Sequence, residues 1–332
     1  MLLLIRGESR PNLGICIPTF NRSDYLVVLL TSLVPQAHKY GAIIYISDNC
    51  SDDTTREIVY EFQKSYDNVI YERNTTNIGF YNNLIKVLKM ARTRYIWMMD
   101  DDDIILDGAV ELILTTLQSS PDFLILNSSD CNRDMSIKLP KIIDCVKNVY
   151  YKEGEHHKIL FDLKKNGYFG IMVSMIIKKS IINDNLEIMG NSSYELFGNS
   201  YLPLLLFYRS IINKSGVFSC KPLILRRPNM RNSADSAFNW YIGDRIIALQ
   251  SLIQYGYPKY IVKQCLDTSL SATFFNAILI KADEPRRRIF NEFLKKTHLM
   301  PNYEKLIYLI LDNVPIYILK IARRITYKLS GL

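Results

Sequence analysis

The sequence predicts an α/β fold with a mainly parallel, doubly wound sheet. Short apolar runs alternate with segments of helical periodicity through about the first 130 residues. Continuous apolar runs are typical of strands buried on both faces, and helices between them are what parallel pairing requires. Hydrophobic residues make up 48% of the 332 residues and charged residues 22%, as expected for a globular protein with a core.

The predicted elements follow one another in a regular order. Strands are expected over 13–18, 42–47, 68–73, 95–99 and 123–127, and helices from Asp24, from about Ser51, over 79–91 and over 107–117. Polar clusters follow three of the strands, at 19–22, 48–53 and 100–103. Because ligands of such sheets bind beyond the carboxyl ends of the strands, we expect these clusters to converge in space.

The rest of the chain has a weaker pattern. It is irregular over 135–182 and becomes helical and rich in Tyr, Lys and Arg after Trp240, with no repeat or low-complexity linker. We therefore predict a catalytic domain over residues 1–235 and a helical, basic C-terminal region over 236–332.

Charge and cysteine usage narrow the function classes. The formal net charge is +8, from 41 basic and 33 acidic residues, which suits an anionic membrane or phosphate-bearing substrates. Nucleic acid is not an expected partner because no nucleic-acid fold motif accompanies the charge.

The six cysteines form no Cys-x-x-Cys pair, and with the four histidines they offer no zinc spacing. We interpret all six as reduced thiols in a reducing compartment.

Membrane crossing is not expected from the sequence. The apolar run at the N-terminus is too short for a signal peptide, and no stretch of about 18 uninterrupted apolar residues occurs. The sequence therefore predicts a soluble or peripheral protein that stays on the side where it is made.

Four consecutive aspartates, Asp100 to Asp103, directly follow a buried strand. Adjacent carboxylates repel one another and are costly to desolvate, and two or three of them converging on a divalent cation would offset this repulsion. Oxygen ligands select Mg²⁺ or Mn²⁺, which also holds substrate phosphates. The alternative is a solvated acidic turn that caps the next helix. The position after a strand favours the metal site, with Asp103 as the member that is only structural.

The other two clusters suggest contacts to a nucleotide. Pro18 would fix the turn after the first strand, and Asn21 or Arg22 would contact a base or phosphate. Asp48 and Asn49 open the second cluster, where an acid accepts hydrogen bonds from a nucleotide ring or ribose. The alternative for this cluster is a helix N-cap, supplied by Ser51 or Asp52.

A further candidate is the turn Asn77-Ile-Gly79, where the glycine permits a positive φ or a close ligand approach. Dehydrogenases, phosphate-loop ATPases and serine hydrolases are excluded by missing motifs. The chain has no Gly-x-Gly-x-x-Gly, no phosphate loop ending in Gly-Lys-Ser/Thr and no Gly-x-Ser-x-Gly.

Four segments in order resemble the family 2 glycosyltransferases of GT-A fold. They are CIPTFNR (16–22), SDNCSDDT (47–54), Asn-x-Gly (77–79) and YIWMMDDDD (95–103). The resemblance implies a Rossmann-like sheet, a nucleotide-diphosphosugar donor, a divalent metal and an inverting displacement at the anomeric carbon.

The resemblance also assigns site residues. Thr19 and Arg22 lie at the nucleotide end of the first strand, and Asp48 matches the position that contacts the base. Asp100 and Asp102 match the outer, metal-binding members of the Asp-x-Asp motif, and Asp101 would serve in a register shifted by one.

The second half carries weaker similarity. The segment 225–233 resembles the Arg-rich strand and loop near the donor diphosphate, so Arg226, Arg227 and Arg231 are candidates to clamp phosphate. An exposed basic strand is the alternative. The layout of this half is similar to that of bacterial O-antigen enzymes, among which the abequosyltransferases are one group.

This half also departs from the family. Many relatives carry a Glu-Asp pair that supplies the general base, whereas 197–203 contains no acid. Glu195 is the leading candidate for the base, and Asp235 and Asp244 are the others.

The C-terminal segment has amphipathic spacing. Val314, Ile318, Ile321 and Ile325 fall on one helical face, with Lys320 and Arg323 on another. A basic amphipathic helix can lie in a membrane interface, and a helix packed on the core with a solvated face is the alternative.

These inferences together predict a metal-dependent glycosyltransferase of O-antigen or other surface-polysaccharide (lipopolysaccharide) synthesis. Its acceptor would be a polyprenyl-diphosphate-linked saccharide, and it would work in the cytoplasm, peripherally at the inner face of the cell membrane. Two alternatives remain open, a non-catalytic nucleotide-sugar-binding partner in an assembly complex and a nucleotidyltransferase.

Overall fold

The computed structural model describes residues 12–132, 138–141, 143–165, 172–190, 202–227, 249, 251–266 and 313–322. The chain divides into two compact units, one of residues 1–192 and 206–229 and the other of 193–205 and 230–332. The sheet belongs to the first unit. The limits 1–235 and 236–332 stay a prediction.

The elements of the described residues alternate as the sequence predicts. The strands are β1 (Leu13–Thr19), β2 (Ile43–Asp48), β3 (Val69–Arg73), β4 (Tyr95–Met98), β5 (Ile104–Ile105), β6 (Phe123–Cys131), β7 (Lys138–Lys141), β8 (Val149–Tyr151), β9 (Met175–Lys178) and β10 (Gly216–Arg226). The helices are α1 (Ser23–Lys39), α2 (Thr55–Ser65), α3 (Phe80–Met90), α4 (Ala109–Leu117), α5 (His156–Lys165), α6 (Lys179–Gly190), α7 (Leu202–Ser210) and α8 (Lys259–Leu266). Every strand and helix predicted up to β6 is present, with ends moved by a few residues.

The strands form one sheet in the order β3-β2-β1-β4-β9-β6-β10-β5, with β7 beside β6 and β8 beside β10. β1 pairs in parallel with both β2 and β4, β2 with β3, and β6 with β10. β9 is inserted antiparallel between β4 and β6. The predicted mainly parallel, doubly wound sheet is therefore confirmed, and β9, in the irregular stretch, is a strand that the sequence pattern did not reveal.

The core explains why these strands are continuous apolar runs. All seven residues of β1 are buried, since the strand is central and covered on both faces. α1 packs through Leu26, Leu29, Leu30, Leu33 and Val34, which recur at the spacing of one helical face. The Trp97 indole N–H of β4 donates to the Val173 carbonyl at 2.6 Å, so the largest core side chain keeps its polar atom bonded.

The connections between the strands determine where the crevice of the sheet lies. The chain goes from β1 outward to β2 and β3, then returns to place β4 on the other side of β1. The strand order therefore reverses between β1 and β4. In doubly wound sheets ligands bind at this reversal, beyond the carboxyl ends of the strands.

Cys145 and Cys220 form a disulfide, with Cα atoms 5.7 Å apart. Our interpretation of all six cysteines as reduced thiols is therefore wrong. The pair is separated by 75 residues, and sequence spacing alone did not signal that β10 brings the two together. Cys16, Cys50, Cys131 and Cys265 are thiols, as expected.

Within the second unit, α8 buries Ile261, Val262 and Cys265 on one face. Residues 316–322 are also helical. Among the described residues, no helix is both long and apolar enough to cross a membrane.

Candidate active site

The three polar clusters converge at the crevice, as predicted. Thr19 ends β1 opposite Asp48, which ends β2. The Asn49 N–H donates to the Thr19 carbonyl at 2.9 Å, and the Thr19 hydroxyl donates to Asp101 Oδ2 at 2.8 Å. Thr19 is therefore a single residue that contacts both the second cluster and residues 100–103, which are called the acidic turn below.

The aspartates of the acidic turn alternate in direction. Asp101 and Asp103 are 7% and 4% exposed, whereas Asp100 and Asp102 are partly exposed. Burial raises the pKa of Asp101 to about 6, with Arg22 opposing and Asp102 adding to the shift. Burial, together with the charges of Asp100 and Asp102, also raises the pKa of Asp103 well above its usual value. The outer pair is thus the one that a ligand can reach.

Two arginines neutralise this turn. Arg22 Nε lies 3.0 Å from Asp101 Oδ1, and the Nη2 of the same guanidinium donates to Asp102 Oδ2. The Arg227 N–H donates to Asp103 Oδ1 at 3.0 Å, and Arg227 Nε donates to the Asp102 carbonyl at 3.1 Å. Arg227 is there because β5 pairs antiparallel with the end of β10. This long-range pairing was not visible in the sequence pattern.

Tyr25, in the first turn of α1, organises the two arginines. The guanidinium carbons of Arg22 and Arg227 lie 5.0 and 4.9 Å from the centroid of its ring. Such contacts are attractive because the face of the ring carries negative charge. Sequence reasoning missed Tyr25, since its partners are 3 and 202 positions away in the chain.

Asp48 is fully buried at the end of β2. Its Oδ1 accepts from the Ser51 N–H at 2.8 Å, and its Oδ2 accepts from the Tyr71 hydroxyl at 2.6 Å. Arg73 Nε lies 3.5 Å from Oδ2. Burial, followed by the Asp48 carboxylate, raises the pKa of Tyr71 above its usual value. The predicted contact of Asp48 with a base stays a prediction.

A set of asparagine amides, buried except for the exposed Asn77, supports the loops after β2 and β3. Asn49 Nδ2 donates to Asn77 Oδ1 at 2.7 Å, and Asn49 Oδ1 accepts from Asn74 Nδ2 at 3.1 Å. Asn83 Oδ1 accepts from the Ser47 hydroxyl at 2.7 Å and from Asn74 at 2.9 Å. These four asparagines hold the ends of β1, β2 and α3 in one arrangement.

The turn before α3 uses its glycine as predicted. Gly79 has a φ of 81°, in the region that favours glycine. Asn77 Oδ1 accepts from the Gly79 N–H at 2.9 Å, and Asn49 Oδ1 from the Ile78 N–H at 2.9 Å. The turn is therefore shaped by side chains of the crevice.

The loop after β1 and the loop after β2 are joined across the crevice. The Asn21 N–H donates to the Ser51 hydroxyl oxygen, and Asn21 Oδ1 accepts from the Asp52 N–H, both at 2.9 Å. Asn21 adopts a φ of 50°, which asparagine tolerates better than most residues. Pro18 lies inside β1 opposite Ser47, so the turn begins after Thr19 and is not fixed by the proline.

The helix N-caps differ from the predicted ones. Asp53 accepts from the Ser23 N–H at the start of α1 and from the Thr55 N–H at the start of α2. Asp24, where we expected the first helix to begin, lies in the first turn of α1, and neither Ser51 nor Asp52 has the capping role that we expected. One carboxylate thus serves two helix N-termini, where negative charge is stabilising.

Of the remaining candidate residues, Arg226 binds another side chain of the protein, and the others lie outside the described residues. Arg226 donates to Asp130 Oδ1 through Nε at 2.9 Å and Nη2 at 2.7 Å, so it has a protein partner. Arg231, Glu195 and Asp235 lie outside the described residues, as does Asp244.

The acidic turn does not itself form a complete metal cage. In the part of the chain that the structure describes, no group of three or more His, Cys, Asp or Glu side chains is arranged to hold a metal. Asp100 and Asp102 nevertheless fit a Mg²⁺ or Mn²⁺ site of another kind. Mg²⁺ is commonly held by one or two carboxylates, with waters and substrate phosphates completing its shell.

A mainly parallel, doubly wound sheet with an acidic turn at its reversal point agrees with a glycosyltransferase of GT-A fold. The model of the family described as "Glycosyl transferase family 2" matches residues 14–186, and the chain belongs to this family. The predictions of the family, of the fold and of a glycosyltransferase are confirmed.

Two of the named relatives are bacterial glycosyltransferases. The chain is 28% identical over 226 residues to "Abequosyltransferase RfbV" of Salmonella typhimurium, covering 65% of this chain and 66% of that protein. It is 34% identical over 105 residues to the "GalNAc(5)-diNAcBac-PP-undecaprenol beta-1,3-glucosyltransferase" of Campylobacter jejuni, covering 31% of this chain and 34% of the relative.

A solved structure supports the fold over a longer span. The crystal structure of S. aureus TarS 1-349 matches with a TM-score of 0.64 at 16% identity, covering 91% of this chain and 89% of that one. At this identity the likeness concerns the fold alone.

Proposed function

We propose that this protein transfers a sugar from a nucleotide-diphosphosugar to a lipid-linked saccharide during the synthesis of O antigen or another surface polysaccharide. The observation that carries the proposal is the crevice itself. Thr19, Asp48 and the acidic turn meet beyond the ends of β1, β2 and β4, where doubly wound sheets bind nucleotides.

A divalent cation, Mn²⁺ or Mg²⁺, fits the outer pair of the acidic turn. Asp100 and Asp102 would hold it, because they are the partly exposed members while Asp101 and Asp103 are turned inward. When bound, such a cation supplies charge stabilisation to a departing diphosphate.

The chain's own residues have complementary tasks. Thr19 and Arg22 both contact Asp101, and these two contacts fix the position of the acidic turn. Arg22 and Arg227 provide guanidinium groups suited to bind phosphate oxygens. The loops that carry Pro18, Asn21, Asp48, Asn49, Asn77 and Gly79 would enclose the nucleotide. Arg231 is proposed to join the phosphate contacts.

The acceptor and the base complete the proposal. The name of the Campylobacter jejuni relative supports a saccharide acceptor linked to a polyprenyl diphosphate. Glu195, or else Asp235, would deprotonate the acceptor hydroxyl that attacks the anomeric carbon with inversion. Neither acid lies in the described residues, so their roles rest on the sequence alone.

Thermal unfolding in the presence of ligands tests the donor site. We expect one nucleoside diphosphate, and its sugar nucleotides, to raise the melting temperature, and Mn²⁺ to increase the shift. Ligand at a hundredfold excess over its Kd stabilises the folded state by about 2.7 kcal/mol, which is readily measured. If no member of a panel of nucleoside diphosphates and sugar nucleotides shifts the transition, a donor site on this chain is ruled out.

We also propose peripheral attachment to the inner face of the cell membrane through the helix of residues 316–322. Tyr317, Ile318 and Ile321 are 63%, 43% and 54% exposed there, while Leu319 is 2% exposed. Lys320 is exposed beside them, and Arg323 and Arg324 follow in the sequence. Exposed apolar residues with adjacent cations suit an anionic lipid surface, where each basic residue adds roughly 1 kcal/mol.

Vesicle sedimentation tests this attachment. The double variant Ile318→Glu/Ile321→Glu should lose most of its binding to vesicles containing anionic phospholipid, because it removes apolar area and adds negative charge. Tyr260→Glu is a matched control, since Tyr260 is also 63% exposed in the same unit but lies on α8. Equal binding by the wild type, the double variant and the control would show that this helix is not the attachment site.

A further inference from the structure

We propose that Arg22 occupies, in the donor-free protein, the carboxylate that the cation needs, and thereby keeps metal binding weak until the donor is present. Arg22 would then be the positioning residue that couples the binding of the cation to the binding of the sugar-nucleotide donor. The inference rests on the proposed function, namely on a divalent cation held by Asp102.

The contacts of Arg22 carry the first step. One guanidinium reaches two carboxylates, with Nη2 on Asp102 Oδ2 and Nε 3.0 Å from Asp101 Oδ1. The Nε contact is an ion pair without hydrogen-bond alignment, whereas the Nη2 contact is a hydrogen bond. The aligned hydrogen bond is therefore made to the outer carboxylate, the one proposed to bind metal.

The surroundings hold Arg22 in this position. Its side chain is 23% exposed and lies against the face of Tyr25. Burial disfavours its charge, but the charges of Asp101 and Asp102 outweigh burial and raise the pKa of Arg22 above its usual value. Asp101 is anchored in turn by the Thr19 hydroxyl. The guanidinium is thus a fixed counter-ion of the acidic turn and not a mobile surface charge.

Competition follows from the chemistry of Asp102. Arg22 uses one of the acceptor positions of Asp102, namely Oδ2, and leaves fewer of them for a cation. Two positive charges on one carboxylate also repel each other, so metal binding weakens or breaks the Arg22–Asp102 pair. The displaced guanidinium needs a new anion, and the diphosphate of a donor is one with the right geometry.

This arrangement couples the two ligands. Without donor, the cation binds at the expense of the ion pair, and Arg22 loses a partner. With donor, the diphosphate compensates Arg22, so the apparent metal affinity rises. By thermodynamic linkage the cation must increase the donor's affinity by the same factor.

Mn²⁺ titration followed by the electron paramagnetic resonance of unbound Mn²⁺ tests the proposal without any turnover. In the absence of nucleotide, Arg22→Gln should bind Mn²⁺ roughly tenfold more tightly than the wild type, the order expected for losing one part-buried ion pair. The variant should also show a smaller gain in Mn²⁺ affinity when the nucleoside diphosphate identified by thermal unfolding is added.

Arg227→Gln is the matched control. It removes the same charge from a guanidinium that also lies over the Tyr25 ring, but it leaves Arg22 on Asp102, because Arg227 donates to the Asp102 carbonyl. We expect a clearly smaller increase in Mn²⁺ affinity. Equal increases in the two variants would mean that only net charge matters, which would overturn the proposal.

The remaining outcomes separate this proposal from the proposed function. If the wild type binds Mn²⁺ and Arg22→Gln binds it equally or more weakly, Arg22 is only structural and the coupling idea fails alone. If the wild type binds no Mn²⁺ with or without nucleotide, the metal part of the proposed function fails and the coupling idea with it. Circular dichroism checks folding, and Arg22→Lys, which keeps the charge but loses the planar fork, should give an intermediate affinity if the glutamine variant unfolds.

Discussion

Replacing Asp102 with alanine should lower sugar transfer by roughly a thousandfold or more while the protein stays folded, since a metal-held diphosphate is stabilised by several kcal/mol. The side chain is partly exposed, so its loss creates no core cavity. Asp101 keeps both Thr19 and Arg22 as partners, and Asp103 keeps the Arg227 N–H. The measurement is the rate of transfer from labelled donor, together with a thermal unfolding curve.

Asp107→Ala supplies the control for this prediction. Asp107 is an exposed aspartate five positions further along the chain, beyond β5. It should retain the activity of the wild type. Turnover of Asp102→Ala within a few-fold of the wild type would remove Asp102 from the metal site. A loss of activity accompanied by loss of folding would instead mean that the acidic turn is held together by the Arg22–Asp102 pair.

The strand and helix order was predictable because local pattern and tertiary environment agree. The runs that became β1, β2 and β4 are apolar at successive positions, and each is buried on both faces. The clusters at the strand ends converge for a topological reason, since parallel strands present their carboxyl ends at one edge. Within the acidic turn Asp100 and Asp102 are the partly exposed members, and their assignment to a metal stays a prediction.

Features that depend on distant pairing were not predictable. β5 has two residues, too few for a pattern, and it brings Arg227 to the turn only because it pairs with β10. Tyr25 and Asp53 resemble ordinary helix-start residues, and their partners come from other loops. The Cys145–Cys220 disulfide depends on the same distant part of the sheet. Single-sequence reasoning has no signal for such contacts.

Asn83 illustrates a site-supporting residue that the sequence hides. It lies in α3 and is 1% exposed, at a position that helical spacing assigns to the apolar face with Leu84 and Val87. Its amide meets polar groups of β2 and of the loop after β3. A buried amide on an apolar face is tolerated only when its hydrogen bonds are satisfied, and here they tie the floor of the crevice together.

Asn83→Ala should therefore destabilise the protein by about 3 kcal/mol, because it leaves buried partners unsatisfied in addition to removing its own bonds. The Ser47 hydroxyl loses its acceptor at 2.7 Å, and the Ser47 carbonyl loses the Nδ2 donor at 2.8 Å. Asn74, which holds Asn49, loses an acceptor at 2.9 Å. Denaturant unfolding measures the stability, and nucleotide affinity should fall as well because the loop of Asn49 is no longer fixed.

Asn82→Ala is the matched control, since Asn82 is the exposed neighbour that donates only locally, to the Ile78 carbonyl at 2.9 Å. It should change stability by less than about 0.5 kcal/mol, as is usual for surface substitutions. If Asn83→Ala were as mild as this control, the amide set would not hold the crevice. If it lowered stability but left nucleotide affinity unchanged in the folded protein, the set would support the fold without positioning the nucleotide loops, and donor binding would have to depend on the acidic turn and its arginines.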